Sequence, residues 1–188
     1  MEKIDNIKNT TIENKEINEH YEELEIKNAI LNKIDWNNSK FDYLEITNTT
    51  ITTSIFSNLN LSGQTFYKVK FENCNFLGTN FSTAFLKEVE FINCNLSYAN
   101  LSMAELDKVT IKDCNLKDAS IYKMKQKSLK LINCNLESVD MFETNLEKLD
   151  IRTCNINHIK IDIPSMKGLI VNEEQALALS KFLQIIIE

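Results

Sequence analysis

The 188-residue chain sets 21 Lys and Arg against 27 Asp and Glu, a formal charge of −6. That balance argues against a partner held by neutralising phosphates, such as DNA or an anionic membrane. With 43% hydrophobic residues the chain can bury a core, yet no run of 18 apolar residues exists to span a bilayer. The opening Met1-Glu2-Lys3-Ile4-Asp5 has no apolar h-region, so a cytoplasmic, reducing location is expected. Gly occurs 3 times and Pro once, too few for the tight loops of most enzymes. Asn, with 24 copies, is the expected turn residue because it tolerates unusual backbone angles.

In residues 1–20, Ile7, Ile12 and Ile17 lie five apart. From Tyr21 the same spacing restarts one residue out of phase. This segment is expected to be an N-terminal cap or a distorted first coil. Over 21–171 the period of five is strict. Every fifth position from Tyr21 to Ile161 is large and apolar in 28 of 29 cases, and Gln126 is the exception. Two residues before each large position sits a second column, mostly Ala, Cys, Ser, Thr or Val. Neither a helix nor an ordinary strand has this period. A coil with one straight side and one corner per five residues does.

The cysteines count the sides. Cys74, Cys94, Cys114, Cys134 and Cys154 all fall in the small column at intervals of 20, each followed by Asn and a large apolar residue. A 20-residue super-period over a five-residue unit means four faces per coil, with successive coils stacked ~4.8 Å apart. We number the faces by their large residue: face 1 holds Tyr21 and Phe41, face 2 Ile26 and Ile46, face 3 Leu31 and Ile51, face 4 Trp36 and Phe56. Gln126, in Met124-Lys125-Gln126-Lys127, is expected to mark a bulge with a solvent-facing side chain. Gly63-Gln64 interrupts the small column of the same face, so that face is expected to be irregular twice.

After Val171 the period ends. Asn172-Glu173-Glu174-Gln175 spells a helix N-cap with a capping box, and apolar residues follow at helical spacing. A helix is expected over about 173–183, then a short strand at Ile185-Ile186-Ile187. Residues 172–188 would cap the coil. Leu179, Phe182, Leu183, Ile185, Ile186 and Ile187 are the expected contacts of an end-to-end homodimer.

These patterns resemble the pentapeptide-repeat family, over residues 21–163 without insertion or deletion. The resemblance implies an all-β solenoid: a right-handed quadrilateral parallel β-helix with a C-terminal capping α-helix and short strand. Gly168-Leu169-Ile170-Val171, then Gln175, Leu179, Leu183 and the Ile run, is similar to the C-terminal end of the Qnr-type quinolone-resistance members. It differs in having Gln184 where the familiar version has Gly before the last strand. The Qnr-type resemblance implies a dimeric rod that mimics DNA, binds DNA gyrase or topoisomerase IV, and modulates the enzyme or its fluoroquinolone susceptibility. Such members that protect the enzyme well carry projecting loops, for which the unbroken register here leaves no room.

Catalytic chemistry is not expected. His20 and His158 lie far apart in the sequence, and no Ser-His, Cys-His or phosphate-cradling motif is present. No cofactor, metal, direct nucleic-acid contact, membrane or small-molecule substrate is expected, and the cysteines are read as buried column-fillers. Acids outnumber lysines on faces 4 and 1. The candidate partner-binding residues are therefore Glu22, Glu23, Asp35, Asp42, Asp118, Glu137, Asp140, Glu143 and Asp162. The alternative is an interaction scaffold with another protein partner and no topoisomerase role.

Overall fold

The computed structural model describes residues 6–184. In chain order its strands are β1 (Asn6–Lys8), β2 (Thr11–Glu16), β3 (His20–Lys27), β4 (Ile30–Asp35), β5 (Lys40–Thr52), β6 (Thr65–Glu72), β7 (Phe85–Lys87), β8 (Glu90–Ile92), β9 (Glu105–Asp107), β10 (Thr110–Lys112), β11 (Lys125–Lys127) and β12 (Lys130–Ile132). All pair in parallel. From β3 onward the partner lies 20 residues away, as in Ile46↔Phe66 and Phe71↔Phe91. The architecture is a right-handed quadrilateral parallel β-helix.

The four faces are of two kinds. From β6 onward the strands lie on faces 2 and 3, while in the first coils β3 and β5 also run through Tyr21 and Phe41 of face 1. Beyond those first coils faces 4 and 1 are built of tight turns joined by isolated bridges, such as Asn75↔Asn95 and Asn80↔Asn100. In most such turns an amide closes on the carbonyl three residues back, as Thr79 does on Phe76 at 3.0 Å and Ala99 on Leu96 at 3.0 Å. The third residue of the turn is left-handed, the requirement of a type II turn. Gly78, at φ +66°, meets that requirement without cost; a Cβ there would sit 2.5 Å from Asn58 Oδ1.

Left-handed backbone is not confined to glycine. Two residues after almost every large residue φ is near +55°, and Asn9, Asn28, Asn58 and Asn93 occupy such positions. Lys33, Glu88, Tyr98 and Met103 do the same, so Asn shares this role with residues that seldom adopt it. Asn has a second part in the turns. Its Oδ1 accepts the amide two residues on, as Asn80 does from Ser82 at 3.0 Å. Its Nδ2 reaches the equivalent Asn of the coil before, as Asn155 reaches Asn135 at 2.9 Å.

The phase slip at the N-terminus has a direct geometric form. β1 and β2 pair with β3 and β4 at an offset of 19, with Ile7 beside Ile26 and Ile12 beside Leu31. Ile17 and Tyr21 are four apart instead of five, so the first turn of chain is one residue short while its isoleucines still stack on the apolar columns. Ile7 and Ile17 are buried.

Large side chains fill the interior. Phe56 and Phe76 stack at 4.8 Å between ring centroids, Phe71 and Phe91 at 5.1 Å, and Phe71 meets Phe76 edge-on at 5.1 Å. The small column lines the corners. Its polar members bond to backbone: Ser54 Oγ donates to the Thr52 carbonyl (2.9 Å) and accepts from the Ile34 amide (3.0 Å). The cysteines repeat that pattern. All five are buried free thiols, and Cys114 Sγ lies 3.1 Å from the Lys112 carbonyl while accepting from the Cys94 amide at 3.2 Å. Contact with the Cys94 thiol, and then burial, holds the Cys114 thiol above its ordinary value.

At the far end α1 (Glu173–Ser180) closes the coil. Asn172 and Gln175 form the expected capping box, with Asn172 Oδ1 accepting from the Gln175 amide at 2.9 Å. The Gln175 carboxamide also donates to the Ile151 and Cys154 carbonyls, both at 2.8 Å. These carbonyls would otherwise face the open end of the last coil. A 3₁₀ turn over Lys181–Leu183 follows. Ile185, Ile186 and Ile187 lie outside the described residues.

Two outcomes follow. Leu96→Ala should cost ~2–5 kcal/mol in urea titration, and Leu96→Asp should abolish the β-type circular dichroism spectrum, because Leu96 is fully enclosed. A native spectrum for Leu96→Asp would contradict the inward column. Thiol labelling should be negligible in native buffer and reach all five cysteines in denaturant. Rapid native labelling of Cys114 would contradict its burial.

Candidate binding surface

The nine candidate acids occupy faces 4 and 1 in two separate groups. Glu22, Glu23, Asp35 and Asp42 lie in the first coils. Asp118, Glu137, Asp140, Glu143 and Asp162 lie in the last ones. Between them residues 54–63, 74–83 and 94–103, which are faces 4 and 1 of three consecutive coils, hold no charged residue. The continuous acidic side suggested by summing charges over a face is thus divided. A sum has no axial coordinate, and the division emerges only when residues are placed coil by coil.

Several of these acids are already engaged. Glu137 pairs with Lys117 at 2.9 Å, Glu143 with Lys123 at 3.1 Å, and Asp42 with the His20 ring at 3.0 Å. Tyr122 donates to Glu143 at 2.9 Å, and this bond together with Lys123 holds the Glu143 carboxyl below its usual range. Asp35 and Asp140 accept turn amides, from Asn37 at 2.9 Å and Phe142 at 3.1 Å. Asp162 accepts from Ser165 and from the Glu143 amide. All stay at the solvent boundary, where ion pairs contribute little to stability.

Faces 2 and 3 are also charged, but with the two signs interleaved from coil to coil. Lys125 meets Glu105 at 2.7 Å and Lys108 approaches Glu88 at 3.8 Å, each pair 20 residues apart. Opposite charges facing each other across a parallel ladder neutralise that side locally.

Gln126 makes no bulge. It stays in register with Leu106, half-buried, with Nε2 donating to the Asn145 carbonyl (3.4 Å) and Oε1 accepting from the Leu129 amide (3.3 Å). A long carboxamide can satisfy the corner backbone, so a polar residue interrupts the apolar column without disturbing the chain path. Gln64 is likewise regular. Its buried Oε1 accepts the Leu44 amide at 2.6 Å, doing at longer reach what Ser54 does for Ile34.

The C-terminal candidates divide by environment. Leu179 is 8% exposed and packs on its own core, and Phe182 lies partly buried against it. Leu183 is 49% exposed, as are Ile170 (41%) and Leu177 (60%), which were not among the expected dimer contacts. Helical spacing alone did not separate the inner from the outer side of so short a helix. Among the described residues no cluster of three His, Cys, Asp or Glu could hold a metal ion.

Residues 64–138 match the family model described as a pentapeptide repeat region. No curated protein matches the sequence. Among solved structures the chain is similar to a trypsin-treated form of QnrB1, a plasmid-mediated fluoroquinolone resistance protein, at 15% identity over 97% of this chain and 99% of that one, with a TM-score of 0.40. It is similar to HetL, a pentapeptide repeat protein involved in heterocyst differentiation regulation from the cyanobacterium Nostoc sp. strain PCC 7120. Identity there is 13% over 88% of this chain and 91% of that one, with a TM-score of 0.40. A thylakoid-lumen pentapeptide repeat protein of Arabidopsis thaliana matches at 20% identity over 52% of this chain and 68% of that one, with a TM-score of 0.49. The family match covers residues 64–138, and the five-residue period and four-faced coil continue on both sides of it.

Proposed function

We propose that the chain is a non-enzymatic binding rod of the cytoplasm. It pairs end to end through its C-terminal cap and presents its acidic groups to the basic DNA-binding surface of DNA gyrase or topoisomerase IV. The reading is carried by one observation. Faces 2 and 3 balance their acids with lysines, as Glu105 with Lys125 and Glu88 with Lys108, whereas faces 4 and 1 hold nine acids against four lysines, gathered on either side of an uncharged stretch. An anionic surface of this kind stands in for DNA without being nucleic acid. The C-terminal resemblance to Qnr-type proteins supplies the choice of partner. With no projecting loop, inhibition fits better than drug protection.

The second reading, a scaffold for a different protein, draws support from the engagement of Asp42, Glu137 and Glu143 by His20, Lys117 and Lys123. A supercoiling assay with purified gyrase separates the two. Inhibition that fades as salt rises is expected for the first reading, and no effect at micromolar protein would leave the second. Replacing Asp118, Asp140 and Asp162 by Asn should weaken inhibition about tenfold, at ~0.2–1 kcal/mol for each exposed charge contact. For the dimer, Leu177→Asp with Leu183→Asp should give the monomer mass by light scattering without loss of fold, since both side chains are exposed. An unchanged dimer mass would overturn the C-terminal pairing.

A further inference from the structure

We infer that the uncharged panel on faces 4 and 1, residues 54–63, 74–83 and 94–103, is the contact core of a protein-docking surface. The acids at either end form its rim. The inference rests on the partner class proposed above and adds where that partner touches.

The panel is not a requirement of the fold. In the same three coils faces 2 and 3, residues 64–73, 84–93 and 104–113, hold eleven charged residues. The turn positions of the panel also accept charge in neighbouring coils. Tyr98 shares its column with Asp118, and Met103 shares its column with Glu143, all four in the same left-handed conformation. Something other than backbone geometry therefore keeps charge away from three coils in succession.

What the panel presents fits a protein contact. Interface cores are depleted of Lys, Glu and Asp and enriched in Tyr and Met, inside a polar rim. Here Tyr98 is 61% exposed, Met103 50% and Leu77 37%. Around them amides and hydroxyls bond from coil to coil, with Asn80 donating to Asn60 at 3.0 Å, Asn100 to Asn80 at 3.2 Å, and Ser62 meeting Ser82 at 3.0 Å. These ladders hold the surface in one shape before a partner arrives, which lowers the ordering cost of binding. Three coils give a core ~14 Å tall, and Asp42 and Asp118 flank it about four coils apart, ~19 Å at the strand spacing. Charge complementarity then defines the partner: a folded protein with an uncharged patch between two basic clusters at about that separation.

The test adds acids to the panel. Tyr98→Asp with Met103→Glu copies residues that the same columns already carry, so the coil is expected to keep its melting temperature and circular dichroism spectrum. Binding of the labelled full-length chain to purified gyrase holoenzyme should fall at least tenfold, because two charges would be desolvated in the contact. Attraction by net charge alone predicts the opposite sign, with unchanged or tighter binding, and that result would overturn the inference while leaving the topoisomerase reading intact. Absence of wild-type binding would overturn that reading and this partner with it. Should the acidic variant fail to fold, Tyr98→Ser with Met103→Ser carries the test. Ser138 and Ser128 hold the same left-handed position, a several-fold loss is expected, and wild-type affinity would overturn the contact core.

Discussion

Everything in this molecule hangs on a backbone hydrogen bond made at the corners. A residue placed in the left-handed conformation sends its amide along the rod axis to the next coil. Asn58 donates to Leu77 at 2.8 Å, Gly78 to Ser97 at 2.9 Å, Tyr98 to Lys117 at 2.9 Å and Asp118 to Glu137 at 2.9 Å. For a non-glycine residue this conformation costs roughly 1–2 kcal/mol, and it is held only because the chain above and below leaves no alternative. The corner bond is thus a cooperative product of stacking. It exists because the coils are spaced as a parallel sheet, and it keeps them so spaced.

That bond separates the inside of the coil from its outside. Two positions in five point inward and are chosen for volume; the others meet solvent and are nearly free of packing demands. Surface chemistry can then be written face by face. Faces 2 and 3 set lysine against glutamate along the ladder, while faces 4 and 1 hold ladders of Asn and Ser between two acidic groups. Few folds let a surface vary so widely over an invariant core, which is also why the fold by itself says little about partners.

Much of this was legible in the sequence, because a repeat states one rule many times. The period of five, the interval of 20 between cysteines and the Asn172–Gln175 capping box each correspond to a feature of the folded chain. What escaped the reading was local compensation. Gln126 suggested a bulge since a polar residue broke an apolar column, but a carboxamide long enough to bond the Asn145 and Leu129 backbone removes the need for one. Ile7, Ile12 and Ile17 carried a one-residue slip whose geometric meaning, an offset of 19 against the next coil, required knowing which residue each one faces. The division of the acidic side was hidden for a different reason: composition counts charges, and only axial placement shows where they are missing.

The 20-residue register also governs how such a chain can change length. Losing or gaining a single residue inside the coil would throw every later side chain out of its column. The one-residue shortfall between Ile17 and Tyr21 is accommodated by the offset of 19 with which β1 and β2 pair to the next coil. A change of five residues would keep the core intact but turn everything downstream by a quarter revolution, carrying an acidic group onto a different side from its counterpart. A change of 20 would add or remove a whole coil and leave the faces aligned, altering only the distance between the two acidic ends. Length in this architecture therefore varies in quanta, and the spacing of its surface groups behaves as an adjustable ruler marked in single coils.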